Sequence, residues 1–248
     1  MLAIAVGMDD GARWVLNLML GPRQGEALGL SWSDIDFEAG RIKISRELYT
    51  LPWKHGCAQQ GNDAWSCGFA SAWRCPERHS GGFFSGPPKS ESGNRSLPMP
   101  AQLVHALKVH REVQLLQRSK DWVAWVDQKK VEHDLVFARP NGMPVDYRSD
   151  WQAWKDFLKL AGVPEGRVHD GRHTAATTLL LLGIEPRVVM EILGWSQVSM
   201  LTRYQHVLDE MRTDVADKLT SHWTPDPEPE HNVISLADRR AQRFGGAS

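Results

Sequence analysis

His169-Asp170-Gly171-Arg172-His173-Thr174-Ala175-Ala176-Thr177, followed by Leu193-Gly194-Trp195-Ser196-Gln197-Val198-Ser199-Met200-Leu201-Thr202-Arg203-Tyr204-Gln205-His206-Val207, is the part of the sequence whose reading decides the fold. These residues fall in a run of four successive expected helices, Tyr147 to Ala161, His169 to Leu182, Pro186 to Leu193 and Val198 to Val207. Pro186 stands where a first helical turn tolerates proline. His169 and Arg172 are three positions apart and so share a helix face. Tyr204 lies nine positions after Trp195 (204−195) and 32 after Arg172 (204−172).

Working outward, residues 11 to 20 read as a helix ended by Gly21-Pro22, and Pro22 opens a second short helix through about Leu30. Asp34 to Glu38 and Arg41 to Glu47 alternate polar and apolar around Ala39-Gly40, the pattern of a hairpin. Residues 50 to 88 are rich in Gly, Pro, Ser, Cys and His without periodicity and read as an insertion. A short strand is expected over Asn94 to Pro98, then a helix over Pro100 to Ser119 with Leu103, Leu107 and Leu115 on one stripe. Val136-Phe137 reads as a short buried segment, and Trp122, Trp125, Trp151 and Trp154 as core anchors of helices. A last helix over about Asp209 to His222 precedes a tail, 223–248, expected to be disordered or to dock in trans. The expected class is mostly α with a small antiparallel β-sheet, an α+β fold.

Bulk properties set limits. A chain of 248 residues holds one sizeable domain with appendages. With 29 basic against 30 acidic residues the net charge is −1, which argues against non-specific nucleic-acid binding by bulk charge, so a DNA reader would need locally clustered cations. Three cysteines and no signal peptide argue against a secreted disulfide framework. The longest apolar run, Leu179 to Leu182, is too short to span a membrane. A cytoplasmic location without membrane contact is expected.

The chemistry-bearing residues are Arg23, His169, Arg172, Trp195 and Tyr204. A guanidinium is planar, permanently charged and grips phosphate oxygens bidentately. Two of them, an imidazole, an indole N–H and a phenol suit attack on a phosphodiester and stabilisation of the charge that develops. Taken singly, each has a blander reading: a solvated helix start, a structural histidine, a core tryptophan, a packed tyrosine. The ordered set carries the argument.

That set resembles the tyrosine recombinase, or phage integrase, family. The first arginine motif is matched by Gly21-Pro22-Arg23-Gln24-Gly25-Glu26-Ala27-Leu28-Gly29-Leu30-Ser31-Trp32-Ser33-Asp34-Ile35-Asp36, and the later boxes by the two stretches quoted above. The resemblance covers roughly residues 11 to 222. It implies a tyrosine recombinase catalytic domain over 1–222, with Tyr204 attacking the scissile phosphate to leave a 3′-phosphotyrosyl bond and a 5′-hydroxyl. Arg23 and Arg172 would stabilise the transition state, His169 would assist proton transfer, and Trp195 takes a position that is His or Trp in relatives. Lys89, within Pro87-Pro88-Lys89-Ser90-Glu91-Ser92-Gly93, matches the family's general acid better than Lys54, and Glu26 would orient groups in the pocket. The resemblance further implies double-stranded DNA as partner, a homotetramer on paired sites, accessory DNA-bending or directionality proteins, and no cofactor for catalysis. The helical core-binding domain that family members carry before the catalytic domain does not fit in the 22 residues ahead of Arg23 and is expected to be absent. Pro22 and Gly171 depart from the bulkier residues of relatives.

The insertion holds His55, Cys57, Cys67, Cys75 and His79. Cys57, Cys67, Cys75 and His79 form a Cys3His set expected to bind a structural zinc that organises a loop with little core of its own. Three other readings stay open on the residues alone: a non-catalytic integrase remnant that only binds DNA or a protein, a type IB topoisomerase-like enzyme, and a zinc-stabilised interaction domain.

Overall fold

A computed structural model describes residues 1–61 and 64–204. The expected helix over 209–222, the tail 223–248 and residues 205–207 of the helix expected over 198–207 lie outside the described residues. The described chain is α+β, as its periodicity indicates. It opens with α1 (Leu2–Val6), α2 (Ala12–Leu20) and α3 (Gln24–Leu28). The strands β1 (Ile35–Asp36), β2 (Arg41–Ile44), β3 (Glu47–Leu51), β4 (Gln59–Gln60), β5 (Ala64–Trp65), β6 (Gly82–Gly86) and β7 (Arg95–Pro98) follow. Then come α4 (Ala101–Gln117), β8 (Trp125–Val126), β9 (Glu132–His133), α5 (Tyr147–Leu160), α6 (Val168–Leu181), α7 (Pro186–Leu193) and a 3-10 segment, Val198–Tyr204.

The core is built around α2. Eight of its nine residues are buried, because α1, α3, α4 and α6 all pack on it. Trp14 stacks on Phe157 at 5.8 Å and meets Trp154 at 5.3 Å, joining α2 to α5. On α5, Asp150, Trp154, Phe157 and Leu158 recur at helical spacing and form its buried stripe. Asp146 caps the helix by accepting the amides of Arg148 and Ser149. Even the polar residues of α2 are used inward. Arg13 donates to both carboxylate oxygens of Asp150 at 3.1 Å, and Asn17 donates to the Val168 carbonyl at 3.2 Å. Gly171 explains itself here: a Cβ on it would come within 2.2 Å of the Asn17 amide, so a bulkier residue would push α6 off α2.

The three-stranded antiparallel sheet runs in the order β1-β2-β7, with Ile42 opposite Leu97 and Ile44 opposite Arg95. Alternation on β2 buries Ile42 and Ile44 and exposes Arg41 and Lys43. The chain between β2 and β7 differs from the featureless insertion expected over 50–88. β3 and β6 pair over five residues, Glu47 with Gly86 through Leu51 with Gly82, and carry the segment 52–81 outward as an arm. Its second strand, Gly82-Phe83-Phe84-Ser85-Gly86, was masked by its glycines, which weaken strand propensity.

Two further expectations need correction. Leu103 and Leu107 are buried, but Leu115 is exposed, and the stripe continues instead through Gln114. Gln114 accepts from the Trp32 indole at 2.8 Å and donates to the carbonyls of Leu135 and Val136, so a buried polar residue is fully used. Of the four tryptophans, Trp154 is a helical core anchor and Trp125 is buried on a strand. Trp151 is exposed beneath Lys155, and Trp122 lies under the Arg118 guanidinium. No helix among the described residues is long and apolar enough to cross a membrane.

Candidate active site

The C-terminus of α7 is where the arginines meet. The last carbonyls of a helix have no intrahelical partner and carry the negative end of its dipole. Here three consecutive ones accept guanidinium N–H groups. Ile192 accepts from Nε of Arg95 at 2.7 Å, Leu193 from Nη2 of Arg172, and Gly194 from Nη2 of Arg23 at 3.2 Å. Arg172 also donates to the carbonyl of Gly21 at 2.6 Å. Gly21 and Gly194 end α2 and α7 with φ of 56° and 65°, the left-handed cap that glycine takes without strain. A Cβ on Gly194 would approach Nη1 of Arg95 to 2.8 Å, and one on Gly21 would approach Leu193 to 2.9 Å.

Glu26, fully buried at the third position of α3, is the counter-charge. It receives the backbone N–H of Arg23 at 2.8 Å and Nη1 of Arg23 at 2.7 Å, and both terminal nitrogens of Arg95 at 2.9 and 3.2 Å. Burial pushes its carboxyl up, but Arg95 and then Arg23 outweigh it and hold the group below its ordinary value. One carboxylate thus pairs with two guanidiniums, and its charge also acts on Arg172. Arg172, 3% exposed, pairs with no carboxylate among the described residues. Burial, then the charge of Arg23, lowers it to about 10. Two of its five N–H donors are spent on carbonyls. Excess buried positive charge with donors to spare is an electrostatic demand for an anion.

Tyr204 closes the other side. His169, Arg172, His173, Trp195 and Tyr204 line a pocket of about 140 Å³. The Trp195 ring stacks on Tyr204 at 5.6 Å and 25°, and the Arg172 guanidinium lies 5.8 Å from the Trp195 ring. The phenol oxygen is 2.5 Å from Nδ1 of His173, whose Nε2 is 3.2 Å from Nη1 of Arg203. A guanidinium has no acceptor, so Nε2 accepts from Arg203. The hydrogen of a neutral His173 therefore sits on Nδ1 and is donated to the phenol oxygen. Burial raises the Tyr204 phenol, against the pull of Arg203 and Arg172, so it is protonated at rest. His169 meets His173 edge-on at 4.9 Å. Partial burial, then the charges of His173 and Arg172, lowers its imidazole, leaving it neutral and able to accept a proton at pH 7.

Four of the six residues expected at the site, His169, Arg172, Trp195 and Tyr204, line this pocket, and Arg23 is joined to it through the Gly194 carbonyl beside Trp195. Lys89 is placed apart, exposed between β6 and the 3-10 turn Glu91–Gly93, and does not line the Tyr204 pocket. Its loop is anchored to the cluster, since Ser92 donates to the Gly194 carbonyl at 3.2 Å. A Cβ on Gly93 would meet Pro88 at 2.3 Å, which keeps this turn tight. Burial raises the Glu47 carboxyl, while the charges of Lys89 and Arg23 pull it down, so Lys89 and Arg23 act on one common group.

The arm carries a second cluster. His55, Cys57, Cys67 and Cys75 bring their ligand atoms within 4.8 Å of one another. The histidine expected there, His79, is not a member. It is exposed, its Nδ1 is 2.8 Å from the Ser80 hydroxyl, and its backbone pairs with Lys54 at the base of the arm. Sequence spacing favoured a ligand downstream of Cys75, whereas the hairpin returns the chain so that residue 55 faces residue 75. Burial works to raise the Cys75 thiol. Amide hydrogen bonds from Gly56 and Glu77, then His55 and Cys57, bring it down to about 6.

His173 and Arg95 also join the cluster, and the motif reading passed over both. A signal for each exists: His173 is four residues after His169 and shares its helix face, and Arg95 alternates with buried Leu97 on an inward strand face.

Comparison with known proteins agrees with this geometry. The model of the phage integrase family matches residues 90–211. An integrase of Saccharopolyspora erythraea is 37% identical over 247 residues, which span 88% of this chain and 54% of that protein. A tyrosine recombinase XerC-like protein of Caldanaerobacter subterraneus subsp. tengcongensis is 30% identical over 209 residues, 84% of this chain and 48% of that one. The chain spans about half the length of these curated relatives. Among solved structures, the Tn1549 transposon integrase in complex with transposon right end DNA superposes with a TM-score of 0.61 at 22% identity, covering 87% of this chain and 62% of that one. XerA recombinase superposes with a TM-score of 0.56 at 20% identity, covering 86% and 60%. These likenesses establish a shared fold.

Proposed function

We propose, from the premise that this chain belongs to the phage integrase family, that it is the strand-transferring part of a site-specific DNA recombinase. The observation that carries the reading is the Tyr204 phenol held beside Arg172 in one pocket, with three guanidiniums gathered at the end of α7. A phosphodiester supplies the missing negative charge. Its two non-bridging oxygens take the spare donors of Arg172 and those of Arg23, and the same contacts strengthen as charge builds on phosphorus.

In the first step the Tyr204 oxygen attacks phosphorus while the bond to the 5′ oxygen breaks. The phenol proton passes to neutral His169, and the leaving 5′ oxygen takes a proton from Lys89 on its tight turn. His173 donates to the Tyr204 oxygen and favours its anionic form. Trp195 fixes the phenol ring by stacking. The product is a 3′-phosphotyrosyl bond and a free 5′-hydroxyl, which reverse the step on a second strand. The phosphodiester energy is retained in the covalent link, so the chemistry calls for neither ATP nor a metal. The biological outcome is integration or excision of a phage or mobile element, by a homotetramer on paired double-stranded sites with accessory DNA-bending or directionality proteins.

The test is a nicked suicide duplex carrying the element's junction, from which the short 5′-hydroxyl strand diffuses away. The wild-type chain traps a covalent adduct and Tyr204→Phe traps none. An adduct formed equally well by the Phe variant overturns the assignment.

A further inference from the structure

We propose that His55, Cys57, Cys67 and Cys75 bind one structural zinc ion that holds the 52–81 arm in shape. Four ligand atoms come from three stretches of chain, around residues 55–57, 67 and 75, that share no apolar core. Among the described residues from 52 to 81, Cys75 alone is buried, so the arm has no apolar core. A segment that small keeps a fixed shape only with a staple.

The distances suit a tetrahedral ion. Bonds of about 2.3 Å to sulfur and about 2.05 Å to nitrogen give a tetrahedron with edges of about 3.8 Å between sulfurs and about 3.6 Å from sulfur to nitrogen. Nδ1 of His55 lies 3.7 Å from Sγ of Cys57 and 3.6 Å from Sγ of Cys67, and the Cys57 and Cys75 sulfurs are 3.6 Å apart. That separation is far beyond a disulfide bond of about 2.05 Å. Three thiolates and one imidazole select zinc over hard oxygen-seeking cations. The set is closed, with no position left for water or substrate, so its role is structural.

The surroundings hold the ligands in place. The His55 ring stacks on Trp65 at 4.1 Å and 4°, which fixes the plane in which Nδ1 points. Lys54 and His79 exchange both backbone hydrogen bonds at 3.0 Å and close the base of the loop. Gly56 passes so near Glu77 that a Cβ would come within 2.1 Å of its carbonyl oxygen, and this brings residues 55 and 57 against residue 75. Binding displaces a proton from each cysteine that is still protonated at the working pH.

The full chain, purified without chelator and dialysed against zinc and then zinc-free buffer, is expected to hold about one zinc per chain by elemental analysis and native mass spectrometry. Cys57→Ser and Cys67→Ser fall below about 0.2 zinc per chain, while His79→Ala keeps the full amount. A serine variant that failed to fold would also lose metal, so His55→Cys, which restores a fourth ligand, is paired with His55→Ala: the first retains zinc and the second loses it. Cobalt in place of zinc gives thiolate charge-transfer bands and tetrahedral d–d absorption. Wild-type content below about 0.2 overturns the proposal, as does zinc loss in His79→Ala with retention in His55→Ala, or a cobalt spectrum without thiolate bands. None of these readouts depends on DNA cleavage, so they separate this proposal from the recombinase reading.

Discussion

The arginine cluster and the arm are two opposite ways of fixing polar groups in space. Around α7, the side chains of Glu26, Arg95 and Arg172 are buried, and each is tied by more than one hydrogen bond. In the arm, four ligand atoms converge, and the one buried residue among the described residues of 52–81 is Cys75, itself a ligand. The first site gets its rigidity from the body of the protein and so is ready for a ligand before one arrives. The second needs its ligand to exist. Preorganisation is what a site for chemistry requires, and a closed clip is what a structural appendage requires.

The sharpest way to break the comparison is Glu26→Ala. It leaves Arg95 and Arg23 facing each other without a counter-ion and should cost about 3–5 kcal/mol in urea unfolding. A loss under ~1 kcal/mol would show the cluster to be a surface-like network after all. The same carboxylate sets a pH dependence. Its folded value lies below the unfolded one, so its stabilisation is complete above the unfolded value of about 4.3 and disappears as pH falls through the folded value. Acid unfolding of the wild type should therefore be steeper below pH ~4 than that of Glu26→Gln, which carries no such titration.

Arg172→Ala comes next. Loss of one preorganised donor group should slow covalent trapping by about 10²–10³-fold, about 2.7–4 kcal/mol, in single-turnover assays. His173→Ala removes a hydrogen bond to the Tyr204 oxygen, worth about 1.5–3 kcal/mol when the oxygen is charged. Trapping should slow by about 10–100-fold, and raising the pH should recover part of the rate as the phenol ionises unaided. An unchanged rate would remove His173 from the site. Gly194→Ala places a side chain at a left-handed cap against Arg95 and should cost about 1–2 kcal/mol of stability. The smallest effect is on the arm: zinc removal should change protection in 52–81 by hydrogen exchange while moving unfolding of the helical body by less than ~0.5 kcal/mol.

How much of this could be read from the sequence depended on the kind of signal. Local chemistry was legible. Gly21 and Pro22 set the break before Arg23, Pro186 opens α7 at its first residue, and the alternation over 41–44 is a strand. The spaced set from Arg23 to Tyr204 pointed to five side chains that the fold does bring together. What a linear reading could not supply was closure in space. Arg95 meets Glu26 across 69 positions, and nothing local to either announces the other. His55 rather than His79 faces Cys75, because the β3–β6 pairing folds the arm back on itself. Leu115 fits the apolar stripe of α4 in sequence, but the inward position there belongs to Gln114, which supplies hydrogen bonds where a leucine would leave carbonyls unpaired.

The eight-residue helix α7 has one more implication. Its final carbonyls are the common seat of Arg23, Arg95 and Arg172, which arrive from α3, β7 and α6. Without α7 in place those three cations have no shared address, so the packing of one short helix decides whether the charges gather at all. The cluster and the helix that seats it therefore stand or fall together.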